Sequence, residues 1–342
     1  MNMEFECHLP IPQQVKEMYP LTEDIAEIVQ NRNKQLKDIL SGKDERIILI
    51  IGPCSADRQD SILEYVMKLK ELNEQVKEKI FIIPRVYTNK PRTNGEGYKG
   101  MLHQPNPKEK PDLFKGIVAI RQLHMQVIKY SGFSCADEML YPENHRYVND
   151  LLGYVTVGAR SVENQQHRMT ASGLNVPVGM KNPTGGDLKV MLNAINAAQC
   201  CQDFIYRGWA VHTYGNEFAH GILRGYINKS GQSLPNYHYE DLIHVAQIYR
   251  QSQLKNPAII VDCNHSNSDK QFEQQPRILK EVLHSCRHNE TIKKIIKGFM
   301  VESYLQDGSQ SYDGTVYGQS ITDPCLGWEK SRELIMDIAE LL

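Results

Sequence analysis

The chain has 342 residues, 41% hydrophobic and 23% charged, the balance of a folded globular protein and not of a disordered or fibrous one. Thirty-nine Lys plus Arg stand against 41 Asp plus Glu, so no global field draws the chain to nucleic acid or to an anionic membrane, and any basic site is local. The longest apolar run, 47–51, is far short of the ~20 residues that cross a bilayer, and Met1-Asn2-Met3-Glu4 lacks the basic start of a secretion signal, so a cytoplasmic protein is expected. Eight cysteines form neither a dense disulfide framework nor a C-x-x-C pair and read as reduced thiols.

In chain order, residues 22–41 place Ile25, Ile28, Val29, Leu36, Ile39 and Leu40 at helical spacing, and Gly42 closes that helix. Short β-branched runs bounded by Gly, Pro or charge follow at 47–51, 81–87, 133–138, 154–158, 177–181, 221–224, 258–262 and 298–302. The run near 221 competes with 206–214, which also reads as a strand or hairpin. Amphipathic stretches lie between several of them. One is opened by a capping-box pattern, Ser61-Ile-Leu-Glu64, and another carries Leu188, Met191, Leu192 and Ile195. Nearly all-apolar strands joined by helical crossovers are what a parallel sheet buried on both faces requires. The expectation is an α/β fold, a (β/α)8 barrel over residues 46–342 with an N-terminal helical extension over 1–45; an open doubly wound sheet is the alternative. The apolar stripe of the extension needs a surface to cover, its own barrel or a second subunit, and a subunit contact is expected.

A barrel of this kind builds its site from the C-terminal strand ends and the loops beyond them. Those positions hold Cys54, Arg85, Glu138, Arg160, Lys181, Arg224, His265 and Glu302, and the loop after the second run adds Lys90, Arg92 and Lys99. Seven basic groups at one end of a slightly acidic protein call for a polyanionic ligand, and two phosphates and a carboxylate suit the Arg forks and Lys point charges. Cys54, His265, Glu302 and Asp323 read as metal ligands. Sulfur, nitrogen and carboxylate oxygen together favour a divalent Mn, Fe, Co or Zn over Mg or Ca. Taken singly these residues have plainer readings, Cys54 as a small buried hydrophobe and Asp262 or Asp323 as helix caps.

Ile51-Gly-Pro-Cys-Ser55, Pro84-Arg-Val-Tyr87, Lys90-Pro-Arg-Thr93, Gly158-Ala-Arg160, Pro177-Val-Gly-Met-Lys-Asn182, Leu223-Arg-Gly225, Asp262-Cys-Asn-His-Ser-Asn267, Val301-Glu-Ser303 and Gly318-Gln-Ser-Ile-Thr-Asp323 occur in one order. In that order they resemble the type I 3-deoxy-D-arabino-heptulosonate 7-phosphate (DAHP) synthases from about residue 8 to the C-terminus. The resemblance implies a metal-dependent transferase of the shikimate pathway and aromatic amino acid biosynthesis, condensing phosphoenolpyruvate with erythrose 4-phosphate and water. It implies Cys54, His265, Glu302 and Asp323 as metal ligands, and Arg160, Lys181 and Arg224 around the phosphoenolpyruvate phosphate. Arg85 and Lys181 would lie near its carboxylate. Lys90, Arg92 and Thr93 would hold the aldose phosphate, and Lys99, Glu138 and Ala159 would complete the pocket. Lys181, Arg85, Lys90 and His265 are the expected catalytic residues. A 3-deoxy-D-manno-octulosonate 8-phosphate type synthase and a non-catalytic phosphometabolite-binding barrel are the alternatives. Against the first stands Lys90-Pro-Arg-Thr93, which resembles the four-carbon-aldehyde pattern. A homodimer or homotetramer is expected, and the short stretch between Lys181 and Arg224 suggests weak or absent inhibition by aromatic amino acids.

Overall fold

The structure, a computed structural model, describes residues 2–92 and 95–342. Its strands in chain order are β1 (Ile47–Gly52), β2 (Ile80–Pro84), β3 (Cys135–Glu138), β4 (Leu152–Val157), β5 (Val178–Lys181), β6 (Gln202–Tyr206), β7 (Trp209–Thr213), β8 (Ala219–Leu223), β9 (Tyr226–Ile227), β10 (Ser233–Leu234), β11 (Ile259–Asp262) and β12 (Ile296–Glu302). Eight of them form one parallel sheet in the order β2-β1-β12-β11-β8-β5-β4-β3. A parallel bridge between Arg85 and Ala136, with Val86 N–H donating to the Ala136 carbonyl at 2.9 Å, brings the two ends together. The sheet is a (β/α)8 barrel, and each of the eight expected runs supplies one strand. Residues 206–214 resolve as part of the antiparallel hairpin β6–β7, which stands outside the barrel sheet.

The period of two along each strand divides the core into an inner and an outer layer. Ile48, Ile50, Phe81, Ile83, Ala136, Tyr154, Ile222, Ile260 and Met300 fill the barrel, while Leu49, Ile51, Ile82 and Val155 face the helices. Each fully buried Ile or Leu contributes about 1.5–3 kcal/mol. Two helices precede the sheet, α1 (Pro12–Met18) and α2 (Glu23–Leu40). The first is too short to show a period in the sequence. The second lies where its apolar spacing placed it, and Gly42 follows with φ +79°, a left-handed conformation that glycine adopts without strain. Leu36, Ile39 and Leu40 join the inner layer, and Arg32 and Lys37 stack on Phe81 and Phe218 beside strand starts. Helix α2 therefore closes the N-terminal mouth of its own barrel, which gives its apolar stripe a partner within the chain. The opposite mouth is left to the loops.

The expected capping box is not one. Helix α3 (Gln59–Val76) begins three residues earlier, with Arg58 at its N-cap, and Ser61 is buried inside its first turn. There its hydroxyl pairs with the Tyr304 hydroxyl at 2.6 Å, a tertiary partner in place of a capping one.

Candidate active site

Strand ends and the loops after them carry the ionisable groups, and their neighbours set the geometry. β1 ends at Gly52, where an added Cβ would run into the Arg85 backbone, so glycine lets the chain following β2 pass close to the Pro53-Cys54 turn. The Arg85 guanidinium, 2% exposed, then donates to the Pro53 carbonyl at 3.1 Å, the Cys54 carbonyl at 3.3 Å and Glu302 Oε1 at 2.7 Å. It also lies 3.8 Å over the Tyr87 ring. Glu302, the last residue of β12, is fully buried, and its second oxygen accepts from Asn264 Nδ2 at 2.5 Å. Burial, the largest single influence, raises the Glu302 carboxyl, but Arg85, His265 and Lys90 together outweigh it and hold Glu302 below its ordinary range.

One donor atom each from Cys54, Glu302 and Asp323 lie within 4.8 Å of one another. The Lys90 ammonium enters the same space, 2.6 Å from Cys54 Sγ and 2.8 Å from Asp323 Oδ2. Asp323 Oδ1 takes a second cation, Lys270, at 2.9 Å. Burial opposes ionisation of Asp323, yet the two lysines pull its carboxyl well below the usual carboxylate range. Burial, with Glu302 adding to it, pushes the Cys54 thiol up to about 11. A thiol in so anionic a setting ionises when a cation is at hand to neutralise it. One sulfur and two carboxylates around a spot already reached by an ammonium form a donor set that fits a divalent transition metal.

His265 stands beside this trio and not within it. It has φ +55° at the start of a short 3-10 turn, with Nε2 3.9 Å from Glu302 Oε1. Its Nδ1 lies 2.9 Å from Asp262 Oδ2, off-line for a hydrogen bond, and burial lowers its pKa. Asp262 also accepts from Lys181 Nζ at 2.9 Å, and this pair is almost wholly buried. Arg224 follows β8, where the Asn182 side chain accepts from its backbone N–H at 2.9 Å. Its Nη1 is buried without a partner, and burial lowers its pKa.

The remaining expected residues ring this centre more loosely. Arg92 Nε donates to the Tyr98 carbonyl at 2.8 Å, and exposed Arg160 donates to the Pro91 carbonyl at 3.2 Å. Ala159 and Glu138 are half-buried, Glu138 over Gly158, and Lys99 is exposed. Thr93 lies outside the described residues. Of the seven basic groups, Arg85, Lys90 and Lys181 are thus already paired with acids. Asp262, Asn264 and Lys270 were not foreseen in these roles. Asp262 carries the signal of an acid ending an apolar strand, whereas nothing local marks Lys270.

Comparison with known proteins decides the family. Residues 22–335 match the model of the DAHP synthetase I family. The chain belongs to the DAHP synthetase I family. Relatives include the phospho-2-dehydro-3-deoxyheptonate aldolase of Haemophilus influenzae, 38% identical over 95% of this chain and 89% of that one. The Phe-sensitive enzyme of that name from Escherichia coli is 37% identical over 96% and 93% of the two chains. A solved structure titled phospho-2-dehydro-3-deoxyheptonate aldolase from Francisella tularensis superposes with a TM-score of 0.92 at 32% identity, covering 99% of this chain and 98% of the other.

Proposed function

We propose that this chain condenses phosphoenolpyruvate with erythrose 4-phosphate and water to give DAHP and phosphate, the first step of the shikimate pathway. The observation that carries this reading is the Cys54, Glu302 and Asp323 donor trio with Lys90 against it, set beside the Lys181–Asp262 pair and the buried, unpartnered Arg224 Nη1. The names of the relatives and of the family point to the same reaction.

Cys54, Glu302 and Asp323, with His265 at their edge, would hold Mn, Fe, Co or Zn, and such an ion supplies a Lewis acid for a carbonyl oxygen when bound. The other residues act on the substrates. Arg224 Nη1, buried without an acceptor, gains one when a phosphate enters, and Arg160 adds a second fork from the rim. Lys181 and Arg85 serve the carboxylate side. Asp262 holds Lys181 and Glu302 holds Arg85 in place, so little reorganisation is needed as charge develops. Carbon 3 of phosphoenolpyruvate attacks the aldehyde carbon, water adds at carbon 2, and the carbon 2–oxygen bond breaks to release phosphate. Lys181 Nζ is the proton-bearing group assigned to this side. Lys90, Arg92 and Thr93 are assigned to the aldose phosphate, and Lys99, Glu138 and Ala159 to the rest of the pocket.

A cytoplasmic homodimer or homotetramer with contacts from residues 1–45 completes the reading, supported by the exposure of Phe5 and Ile11 in that segment. No helix among the described residues is long and apolar enough to cross a membrane. A phosphate-release assay with phosphoenolpyruvate and a panel of aldose phosphates tests the reaction. Release dependent on erythrose 4-phosphate supports it, and release with a five-carbon aldose phosphate alone overturns it.

A further inference from the structure

β3 places Ala136 in the barrel interior and turns Asp137 outward, into the apolar layer beneath helix α4 (Leu113–Ser131). A carboxylate 3% exposed in that layer is costly unless donors surround it. Oδ1 accepts Thr88 N–H at 2.9 Å and Glu138 N–H at 2.7 Å, and Oδ2 accepts the Thr88 hydroxyl at 2.5 Å. His124 Nε2 of α4 lies 3.3 Å from Oδ2. These bonds start where the backbone ladder ends. Val86 N–H still reaches the Ala136 carbonyl, but two residues later it is the Asp137 side chain that holds Thr88. Beyond this anchor, Lys90 N–H donates to the Lys99 carbonyl at 3.0 Å, and Lys90 Nζ reaches Cys54 and Asp323.

We propose that Asp137 is a positioning residue, which extends the β2–β3 pairing by two residues and so sets the place of Lys90 and Arg92 at the aldose-phosphate end of the site. Thr88 is its partner: one oxygen fixes the Thr88 backbone and the other its side chain, leaving that residue no free rotation. The same oxygen that holds Thr88 N–H holds Glu138 N–H, so one carboxylate aligns the loop after β2 with the end of β3. The link to the aldose phosphate rests on the functional reading of Lys90 and Arg92, whereas the anchor itself does not.

The test uses the full-length protein carrying Asp137→Ala, Asp137→Asn or Thr88→Val. In Asp137→Ala, hydrogen exchange at residues 86–90 should rise about tenfold or more while β1 stays protected. Unchanged exchange overturns the anchor, whatever the substrates are. The Michaelis constant for erythrose 4-phosphate should rise about tenfold, with that for phosphoenolpyruvate within about twofold. Asp137→Asn, which keeps an oxygen for the two backbone donors, should recover most of the loss. A parallel decline toward both substrates, or no rescue by Asn, is what a merely structural carboxylate gives and overturns the positioning role. Should Asp137→Ala fail to fold, Thr88→Val, which removes only the hydroxyl donor, should shift the same Michaelis constant in the same direction, and an unchanged ratio overturns the proposal.

Discussion

Replacing Glu302 by glutamine removes one charge from a pair whose partner stays buried. Arg85 and Glu302 are 2% and 0% exposed and 2.7 Å apart, and breaking such a pair from one side costs about 3–5 kcal/mol, because the remaining ion loses its counter-charge without regaining water. Arg85 keeps two carbonyl acceptors and the Tyr87 ring, which places the cost toward the lower figure. No orientation of the new amide avoids a clash of donors. Its nitrogen would face either Arg85 or Asn264 Nδ2, and Asn264 cannot turn without giving up the Ser268 hydroxyl bond to its oxygen at 2.7 Å. At about 2.1 cal/mol/K per residue, a chain of 342 residues has an unfolding entropy of roughly 0.7 kcal/mol/K, so about 3 kcal/mol lowers the melting temperature by about 4 °C. Thermal melts in excess chelator keep metal binding out of the comparison. The double variant Arg85→Met with Glu302→Gln should recover at least half of the loss, since it removes the stranded cation. A Glu302→Gln melt within about 1 °C of the wild type, or additive losses in the double variant, would refute the reasoning.

Exhaustive chelation should abolish phosphate release and a divalent transition metal restore it, and Cys54→Ala should lose bound metal by elemental analysis while its melt in chelator persists. Arg92→Ala should mainly raise the Michaelis constant for erythrose 4-phosphate, losing about 1.5–3 kcal/mol, whereas Lys181→Ala should lower turnover, which initial-rate kinetics with each substrate varied will separate. His220, 1% exposed, accepts from the Tyr154 hydroxyl and donates to the Phe218 carbonyl, and burial lowers its pKa to about 4. The unfolded imidazole takes a proton near pH 6.5 and the folded one only near 4, so its contribution is complete above about pH 6.5 and is lost as pH falls through 4. The loss is about 3 kcal/mol. His220→Gln should therefore lose less stability than the wild type between pH 7 and 4.5 in denaturant titrations. Initial rates with phenylalanine, tyrosine or tryptophan present should show no inhibition at micromolar concentration, and half-inhibition at tens of micromolar would mean that a complete effector pocket survives the short stretch before Arg224.

Most of the eight strands were legible because they are apolar on both faces, a pattern that only a sheet covered on both sides tolerates, and each ends on or just before a Gly, Pro or charge; β3, with Asp137 on its outward face, is the exception. The same contrast exposed much of the site: an ionisable residue directly after an apolar run, as with Arg85, Lys181 and Glu302, has no solvated face to occupy and must sit at the barrel mouth. Helix α2 was legible from its period, but its destination was not. An apolar stripe states that a surface is needed, and only the packing of Leu36, Ile39 and Leu40 into the inner layer shows that this barrel provides it. Pairings were beyond the sequence altogether. Arg85 meets Glu302 and Lys90 meets Asp323 across more than two hundred residues, so whether a basic group is free for a substrate or already held by an acid depends on barrel closure, which local sequence does not encode. Ser61 and Asp137 show the same limit from the opposite side. Ser61 has a plausible local role as a cap, yet both residues are held by partners on different elements, because a buried polar atom must be satisfied by whatever the fold brings next to it.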